Sequence, residues 1–275
     1  MFVRSLEDVK GTERYKVMPR SATVSARYLT ADDGMGFSLH VNRGEVIEPV
    51  QLWYKNHWEA NLLISGAIKV TDLTTDEEWI LGPGDLYQVG PNDRHLYEVL
   101  AYEHHLSIFC PALRGDEVHD EDGAYSPSGE IPSTAQRMFV RNVETLRESG
   151  AEMLVANGQA RTVRALTTKD GLGFSLSDVR FDAGASTDLW YKHHWETNYI
   201  ISGTGQVEDL TTGESWRLEP DMAYNVGPKD RHRLSIETDL HLVSVFCPPL
   251  RGDEQHDADG ALQASGPVPP GPPGY

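Results

Sequence analysis

The chain has 275 residues, of which 39% are hydrophobic and 24% are charged, as is usual for folded proteins. Its formal net charge of −18 repels phosphate backbones and anionic membrane surfaces, so a small molecule is the expected partner, rather than nucleic acid or a membrane. Residues 1–16 carry charges throughout and lack the apolar core of a signal peptide, and no apolar run is long enough to span a bilayer. These features predict a cytoplasmic protein.

The sequence contains two copies of one module at a constant offset of 137 residues. Residues 1–4 return as residues 138–141, and residues 52–61 return, with few changes, as residues 189–198. The period is too long for a solenoid, and each copy is large enough to bury a core of its own. We therefore predict two tandem domains.

Proline, glycine and serine content predicts where these domains begin and end. Residues 126–137 form a linker rich in these residues, between a first domain at 1–125 and a second at 138–261. Residues 262–275 are so rich in proline and glycine that they are expected to form a disordered tail.

Short alternating segments between turn signals predict an all-β fold. Residues 67–73 alternate apolar and polar side chains, and turn-forming residues recur roughly every eight to twelve positions, as in antiparallel barrels and sandwiches. A short helical turn is expected only within residues 142–150. Cys110 and Cys247 each follow an apolar run and are expected to be reduced and buried.

Histidine, glutamate and tyrosine residues recur at one spacing in both copies. His57 and Glu59 share a face of a predicted strand because alternate residues point the same way, and His194 and Glu196 do so in the second copy. The later residues of the pattern are Tyr87 and His95 in the first copy and Tyr224 and His232 in the second.

Two nearby motifs are interpreted as turns. Gly66 and Gly203 each stand seven residues after the glutamate of the pattern, and they are expected to allow a tight turn into the next strand. In the triplet that ends at His95, Asp93 and Arg94 are expected to hold a turn through hydrogen bonds.

These motifs resemble the two motifs of the cupin superfamily, in which strand residues of a small barrel converge on a metal. The usual His-x-His of the first motif falls on Gln51 and Trp53, or on Asp188 and Trp190, whereas its glutamate is kept. A tyrosine stands where the second motif normally has its histidine. The resemblance implies two tandem cupin domains, each a small β-barrel or jelly roll, in a bicupin with pseudo-twofold symmetry.

The same departures are typical of one cupin family, ectoine synthase, a cyclising dehydratase that closes an N-acetylated diamino acid into a tetrahydropyrimidine. Each copy is similar to this enzyme over nearly its whole length, for example in residues 32–38, 54–57 and 117–123. The resemblance implies a lyase that cyclises a small metabolite with loss of water. Because ectoine synthase is a homodimer of such modules, it also implies a pseudo-dimer within one chain, and further homodimer formation stays open.

The resemblance implies one metal site in each copy, made of a carboxylate, a phenolate and an imidazole. The ligands would be Glu59, Tyr87 and His95 in the first copy and Glu196, Tyr224 and His232 in the second. This donor set suits Fe(II), and Zn(II) or Mn(II) is also compatible with it. His57 and His194 are additional candidate ligands.

The substrate positions of the family are matched less evenly. Those that the resemblance or the motifs indicate are Arg27, His40, Trp53, Tyr54 and Phe109 in the first copy and Arg164, Trp190, Tyr191 and Phe246 in the second. A tryptophan of the family falls on Thr23 and Ala160, and a neighbouring polar position falls on Asn42 or Val179. Loss of a large flat side chain leaves room for a ligand other than N-acetyldiaminobutyrate.

The resemblance also supplies candidates for proton transfer. Glu117 or Glu254 would take a proton from the attacking nucleophile, and His119 or His256 would deliver one to the departing oxygen. Two alternatives stay open, because a fold does not fix a reaction. One is an Fe(II)-dependent dioxygenase or isomerase, and the other is a bicupin that binds a small molecule without catalysis.

Overall fold

The computed structural model describes residues 1–19, 23–134 and 136–275. Residue 135, within the predicted linker, lies outside the described residues. Strands dominate the described chain and helices are short, which confirms the predicted all-β fold. Among these residues no helix is both long enough and apolar enough to cross a bilayer.

The strands follow the two repeats. Those of the first repeat are β1 (Phe2–Ser5), β2 (Tyr15–Val17), β3 (Val24–Leu29), β4 (Ser38–Gly44), β5 (Ile47–Leu52), β6 (Trp58–Asp72), β7 (Glu78–Leu81), β8 (Asp85–Val89) and β9 (His95–Cys110). Those of the second repeat are β10 (Phe139–Asn142), β11 (Met153–Val155), β12 (Ala160–Leu166), β13 (Ser175–Phe181), β14 (Ser186–Leu189), β15 (Trp195–Ser202), β16 (Gly205–Asp209), β17 (Ser215–Leu218), β18 (Met222–Val226), β19 (His232–Ile236) and β20 (Leu240–Cys247).

Helical structure is confined to single turns. The α-helical turns are α1 (Leu6–Val9) and α2 (Val143–Leu146). Turns of 3-10 type lie at Ala31–Asp33, Ala156–Gly158 and Thr168–Asp170, and a π-type turn lies at Arg147–Ala151. The helical turn expected within residues 142–150 is therefore confirmed.

The chain folds as two compact units, and each unit takes its first strand from the other repeat. The N-terminal unit comprises Glu7–Glu144, and the C-terminal unit comprises Met1–Leu6 together with Thr145–Tyr275. Within the C-terminal unit β1 pairs with β18, and within the N-terminal unit β10 pairs with β8. These bounds differ from the predicted 1–125 and 138–261 because β1 and β10 each join the sheet of the other repeat. The sequence of a four-residue strand does not specify which sheet it joins.

Antiparallel sheets build both units. In the described residues the N-terminal unit has a nine-stranded sheet of order β10-β8-β6-β9-β4-β3-β2, in which β5 also pairs with β9 and β7 with β6. The C-terminal unit has a seven-stranded sheet, β1-β18-β15-β20-β13-β12-β11, and a four-stranded sheet, β14-β19-β16-β17. The long strands β6 and β9 correspond to two pairs of shorter strands in the C-terminal unit, so one continuous sheet corresponds to two.

Gly66 and Gly203 lie at the point where the two units differ, and neither makes the expected tight turn. Both have positive φ, 90° and 86°, and a Cβ would lie 1.9 Å from the carbonyl oxygen of Tyr102 or 2.1 Å from that of Asp239. Only glycine permits such close backbone approach. Gly66 is a bulge inside β6, whereas Gly203 separates β15 from β16.

The predicted linker and tail each dock on a buried tryptophan. In the N-terminal unit the indole N–H of Trp58 donates to the carbonyl of Pro132 at 2.8 Å, and in the C-terminal unit that of Trp195 donates to Pro269 at 3.0 Å. Proline-rich segments keep their carbonyls available, and a buried indole N–H needs an acceptor.

The tail makes further contacts in the C-terminal unit. The ring of Tyr275 lies 4.4 Å from that of Trp195, and its hydroxyl accepts a hydrogen bond from the backbone N–H of Lys229 at 2.6 Å. Residues 262–275 were expected to be disordered, but the structure shows them packed on the C-terminal unit. Their composition does not reveal that a carbonyl of the tail accepts the indole N–H of Trp195. Cys110 and Cys247 are buried and not disulfide-bonded, as predicted.

Candidate functional sites

Each unit contains a cavity that is partly open to solvent. The empty space at the cavity, including space open to solvent, is about 440 Å³ in the N-terminal unit and about 450 Å³ in the C-terminal unit. Among the predicted site residues, the first is lined by His40, Tyr54, Glu59, Tyr87, Phe109 and His119. The second is lined by Arg164, Tyr191, Glu196, Tyr224, Phe246 and His256. The structure thus gathers most of the predicted residues at two equivalent places.

Strand pairing brings the glutamate and tyrosine of each predicted metal set together. Glu59 on β6 pairs with Val89 on β8, and Asn61 pairs with Tyr87, so Glu59 and Tyr87 lie diagonally across the ladder on one face. Strands β15 and β18 have the same register in the C-terminal unit. Both side chains of each set are buried and line the cavity.

The histidine of each set is held by a backbone carbonyl. Nδ1 of His95 lies 3.5 Å from the carbonyl oxygen of Asp93, and Nδ1 of His232 lies 3.2 Å from that of Asp230. Each imidazole lies 6.1 Å, between ring centroids, from a tyrosine ring of the cavity wall. Because Nδ1–H donates to the carbonyl, the lone pair is on Nε2, and Nε2 is buried without a hydrogen-bond partner among the described residues.

Burial controls the protonation of these groups. It lowers the pKa of His95 and His232 to about 4, so both imidazoles are neutral and able to bind a cation. It raises the pKa of Glu59 to about 7 and that of Glu196 to about 8. A bound cation would favour the charged form of these buried carboxylates, which suits a ligand role.

The tyrosine donors behave in the same way. Burial, with a nearby glutamate, raises the pKa of Tyr87 and Tyr224 well above the usual value. One carboxylate oxygen of Glu196, Oε2, is buried without a hydrogen-bond partner in the part of the chain that the structure describes. His95 and His232 are not among the described residues that line the cavities, but their unpartnered Nε2 atoms and this oxygen are buried polar atoms of the kind that a metal ion would satisfy.

Each predicted donor set includes a tyrosine in addition to a carboxylate and an imidazole. Within the described residues there is no group of three or more histidine, cysteine, aspartate or glutamate side chains that could hold a metal. Each predicted set contains one glutamate and one histidine, and its third donor is a tyrosine. Binding of a metal by either predicted set would therefore need the phenol oxygen as well as the carboxylate and the imidazole.

A tyrosine and a histidine form a hydrogen-bonded pair beside each set. The hydroxyl of Tyr54 lies 3.1 Å from Nε2 of His119, and that of Tyr191 lies 3.1 Å from Nε2 of His256. All four rings line the cavities. Each pair can therefore pass a proton towards a bound molecule.

The C-terminal pair has a defined tautomer. Nδ1 of His256 accepts a hydrogen bond from the backbone N–H of Ala156 at 3.1 Å, so its proton is on Nε2 and is donated to the oxygen of Tyr191. The Tyr191 O–H is then directed to another acceptor. In the first repeat the position of Ala156 is occupied by Pro19, which has no N–H to donate.

The predicted catalytic glutamates do not line the cavities. The two carboxylate oxygens of Glu117 accept hydrogen bonds from the backbone N–H groups of Arg114 and Gly115, at 2.7 and 2.8 Å. The guanidinium of Arg27 lies 3.6 Å from the same carboxylate and donates to the Glu117 carbonyl at 2.7 Å. Glu254 is held in the same way. Both carboxylates therefore order their loops, a role that the sequence does not distinguish from that of a base.

Other predicted residues also lie away from the cavities. The indole N–H of Trp53 donates to the carbonyl of Pro91 at 2.8 Å, and the Arg94 guanidinium stacks over its ring at 4.1 Å. Trp190 donates to Pro228 in the same way. Asp93 does hold its turn, since it accepts from the N–H of Gly90 at 2.9 Å. The tryptophans brace this turn, whereas the residues on either side of them in the sequence line the cavities.

The additional candidate ligands have other partners. Nε2 of His57 lies 2.9 Å from the hydroxyl of Ser128, and Nε2 of His194 lies 3.1 Å from that of Ser265. Neither histidine lines a cavity. Arg27 is fully buried outside the cavity wall, whereas its equivalent Arg164 lines the C-terminal cavity.

Sequence reasoning missed several wall residues. The hydroxyl of Ser107 donates to the side-chain oxygen of Asn61, and Ser244 and Asn198 repeat this pair in the C-terminal unit. Identity of both residues in the two copies was the available signal. Asn42 was noted but His105, which also lines the N-terminal cavity, was not, because it occurs in one copy only.

The two sheet-built units, each with a buried cavity and one donor set, define a bicupin. The structure resembles oxalate decarboxylase from Bacillus subtilis with a TM-score of 0.63 at 14% identity, over 91% of this chain and 78% of that chain. At this identity the similarity shows the fold alone, and it confirms the predicted bicupin architecture.

The chain belongs to the ectoine synthase family, whose sequence profile matches residues 1–129 and 138–265. It is 41% identical over 112 residues to an L-ectoine synthase of Shouchella clausii, which covers 41% of this chain and 84% of the relative. It is 40% identical over 124 residues to the L-ectoine synthase of Desulfatibacillum aliphaticivorans, and this match covers 45% of this chain and 95% of the relative. The predicted duplication of an ectoine synthase-like enzyme of the lyase class is confirmed.

Proposed function

We propose that this protein catalyses an intramolecular condensation of a small amide- or carbonyl-containing metabolite, in which a ring closes and one water is lost. One observation carries the proposal: both units keep a buried glutamate, tyrosine and histidine set with an unpartnered imidazole nitrogen, in a family named for a cyclising enzyme. The set would hold one divalent metal in each unit, with Fe(II) as the best match and Zn(II) or Mn(II) also compatible.

The metal would supply Lewis acidity to an amide or carbonyl oxygen of the substrate. The protein supplies the remaining elements of catalysis. A substrate held in a folded conformation between the buried side chains of the cavity wall would be positioned for ring closure, and exclusion of water by these side chains would limit the reverse hydrolysis.

The tyrosine of each Tyr–His pair is the best-placed proton donor. In the C-terminal unit Tyr191 accepts the Nε2–H of His256, so its own proton can be given to the departing oxygen of the substrate, and the phenolate can then take up the proton that the attacking nucleophile loses. Tyr54 and His119 have the same 3.1 Å separation in the N-terminal unit. Glu117 and Glu254 are not part of this proposal, because their oxygens are engaged by the backbone.

The substrate is proposed to differ from N-acetyldiaminobutyrate. The position of the family tryptophan is Thr23 in one cavity and Ala160 in the other, and both smaller residues line their cavities. The wall that a ligand would contact is therefore altered in both units, while the donor sets are unchanged.

The test combines metal analysis with mass spectrometry. We expect about two metal equivalents per chain, one for each donor set. Incubation of the Fe(II)-loaded protein with a mixture of small amides and carbonyl compounds should yield a product about 18 mass units lighter than its precursor, the mass of one water. The Glu59→Gln, Glu196→Gln double variant is the control. A product that gains oxygen, or a protein that binds no metal, would overturn the proposal.

A further inference from the structure

Among the differences between the two cavities, which also include Tyr125 for Leu262 and His40 for Ser177, six neighbouring positions are exchanged together. The N-terminal unit has Thr23, Asn42, Gly44, Tyr97, Glu103 and His105, which we call the polar wall. The C-terminal unit has Ala160, Val179, Phe181, Leu234, Leu240 and Leu242 at these positions. Strand register is the same in both units: the residue pairs are Asn42 with His105 and Gly44 with Glu103, and Val179 with Leu242 and Phe181 with Leu240. One backbone arrangement therefore accommodates a polar wall and an apolar one.

Glu103 and His105 form a buried pair in the polar wall. A carboxylate oxygen of Glu103 accepts a hydrogen bond from Nδ1 of His105, and Glu103 is fully buried. Nε2 of His105 lies 3.2 Å from Nδ2 of Asn42, and both of these side chains line the cavity. Glu103 thus fixes the orientation of an imidazole that presents its second nitrogen at the cavity wall.

The neighbouring hydrogen bonds assign donors and acceptors. Nδ2 of Asn42 donates to the hydroxyl of Ser107 at 2.8 Å, and that hydroxyl donates to Asn61. The second hydrogen of the same amide nitrogen is directed to Nε2 of His105, which acts as an acceptor. Both hydrogens of this amide and the lone pair of Nε2 are thus used within the wall, so a ligand hydroxyl would bind by replacing the Asn42–His105 contact: it would accept from the amide and donate to the imidazole. An amine can donate to the imidazole.

The polar wall buries two further polar groups, the carboxylate of Glu103 and the hydroxyl of Tyr97. Burial raises the pKa of Tyr97 well above its usual value, and the neighbouring carboxylate of Glu103 adds to this effect. Gly44 leaves room at Oε1 of Glu103, because a Cβ there would lie 2.7 Å from it. Phe181 occupies the equivalent position in the apolar wall. The wall is therefore polar beyond the contact of Asn42 with His105.

Stability alone does not account for the polar wall. A buried carboxylate–imidazole pair contributes little or negatively to folding when apolar residues of similar size can replace it. The C-terminal unit shows that apolar residues do so within the same register. A role in ligand recognition explains why a costly arrangement occurs beside one cavity only.

We propose that the N-terminal unit binds a molecule that places a hydroxyl or amine group against Asn42 and His105, whereas the C-terminal unit binds one with an apolar group there. The two cavities of this chain would then select different ligands. This inference deepens the proposed function and depends on it only in assuming that the cavities bind small molecules.

Ligand pairs that differ by one hydroxyl test the proposal. The probes are N-acetylserine with N-acetylalanine, and N-acetylhomoserine with N-acetyl-2-aminobutyrate, each titrated calorimetrically into the metal-loaded protein. We expect the hydroxylated member of at least one pair to bind about tenfold more tightly at one site per chain, because a site built for a hydroxyl rejects the analogue that lacks it.

The decisive variant transfers the apolar wall to the N-terminal unit. It combines Thr23→Ala, Asn42→Val, Gly44→Phe, Tyr97→Leu, Glu103→Leu and His105→Leu, so that no buried charge is left unpaired. We expect this variant to lose the preference for the hydroxylated probe while thermal stability is equal or higher. His104→Leu, on the same strand and outside the cavity wall, is the matched control and should keep the preference.

Two results would overturn the inference. One is a wild-type protein that shows no hydroxyl preference with either pair of probes, and the other is a preference that survives the six-residue exchange. The condensation activity is assayed separately by loss of water. Failure of the proposed reaction would therefore be seen in that assay, independently of ligand selection.

Discussion

The two cavities of this chain have the same donor set but different walls. The wall is polar in the N-terminal unit and apolar in the C-terminal unit. Glu59 and Tyr87 are presented by β6 and β8, whereas Asn42 and His105 come from β4 and the later part of β9. The Ser107–Asn61 hydrogen bond, which has an equivalent in the C-terminal unit, lies between these two regions. Only His95 of the donor set and Tyr97 of the polar wall share a strand segment, at the start of β9, so most of the wall can vary while the donor set is kept.

The largest expected effect comes from removal of one donor in one unit. Glu59→Ala and Glu196→Ala should each lower the bound metal from about two equivalents per chain to about one, since each variant removes one of the three proposed ligands of its unit. The activity of the altered unit should fall to background, which leaves the other unit to be measured by itself. Elemental analysis and turnover assays check this expectation.

The exposed Glu48 provides a control for these variants, and Glu48→Ala should change neither quantity. Loss of both metal equivalents in a single variant would contradict the independence of the two units. Retention of both equivalents would exclude these glutamates as ligands.

A smaller effect is expected at the Tyr–His pairs. Tyr191→Phe keeps the ring but removes the hydroxyl that His256 supports, so turnover in the C-terminal unit should fall by about 100-fold, as for loss of a general acid. Metal content should be unchanged. The comparison with Tyr54→Phe shows whether the tautomer fixed by Ala156 matters, because Pro19 offers no equivalent N–H. Turnover that is unaffected in both variants would exclude the tyrosines as proton donors.

Stability of the metal-free protein should depend on pH through the two buried glutamates. Burial raises the pKa of Glu59 to about 7 and of Glu196 to about 8, so the folded state keeps these protons at pH values where the unfolded chain has lost them. Their contribution is complete below pH 4.5 and is lost as pH rises through the folded-state values. His95 and His232, with pKa values lowered to about 4, act in the opposite sense, but only below about pH 6.5.

The free energy of unfolding should therefore decrease by roughly 2–3 kcal/mol between pH 6.5 and 8, with the larger part from Glu196. Denaturant titrations at several pH values measure this decrease. Glu196→Gln should remove most of the slope and Glu59→Gln a smaller part. An equal slope in the double variant would show that other groups are responsible.

The repeat explains which parts of the fold and site were predictable. Identity of Glu59, Tyr87 and His95 with their equivalents indicated the donor set, and alternation with turn residues indicated the sheets. The role of Glu117 was not predictable, because the backbone N–H groups that bind it become neighbours only when the loop folds. His105 was not predictable for a different reason: its equivalent in the second copy is Leu242, so the repeat carries no signal for it.

The smallest expected effect concerns the tail, where the two units again differ. Trp58 and Trp195 make the same indole hydrogen bond, but only Trp195 also packs against Tyr275, because the residue at the equivalent position of the first repeat is Met138. Tyr275→Ala should lower the stability of the protein by about 1 kcal/mol, the usual contribution of an aromatic pair. Thermal unfolding of the variant measures this.

The half-exposed Val268 lies in the same tail, and Val268→Ala provides the matched control, which should leave the unfolding temperature nearly unchanged. Tyr275→Phe keeps the ring that packs on Trp195 and loses only the hydrogen bond from the backbone N–H of Lys229. It should therefore have a smaller effect than Tyr275→Ala. Equal stability of Tyr275→Ala and the wild-type protein would show that the tail does not dock in solution and would restore the disorder that its composition predicts.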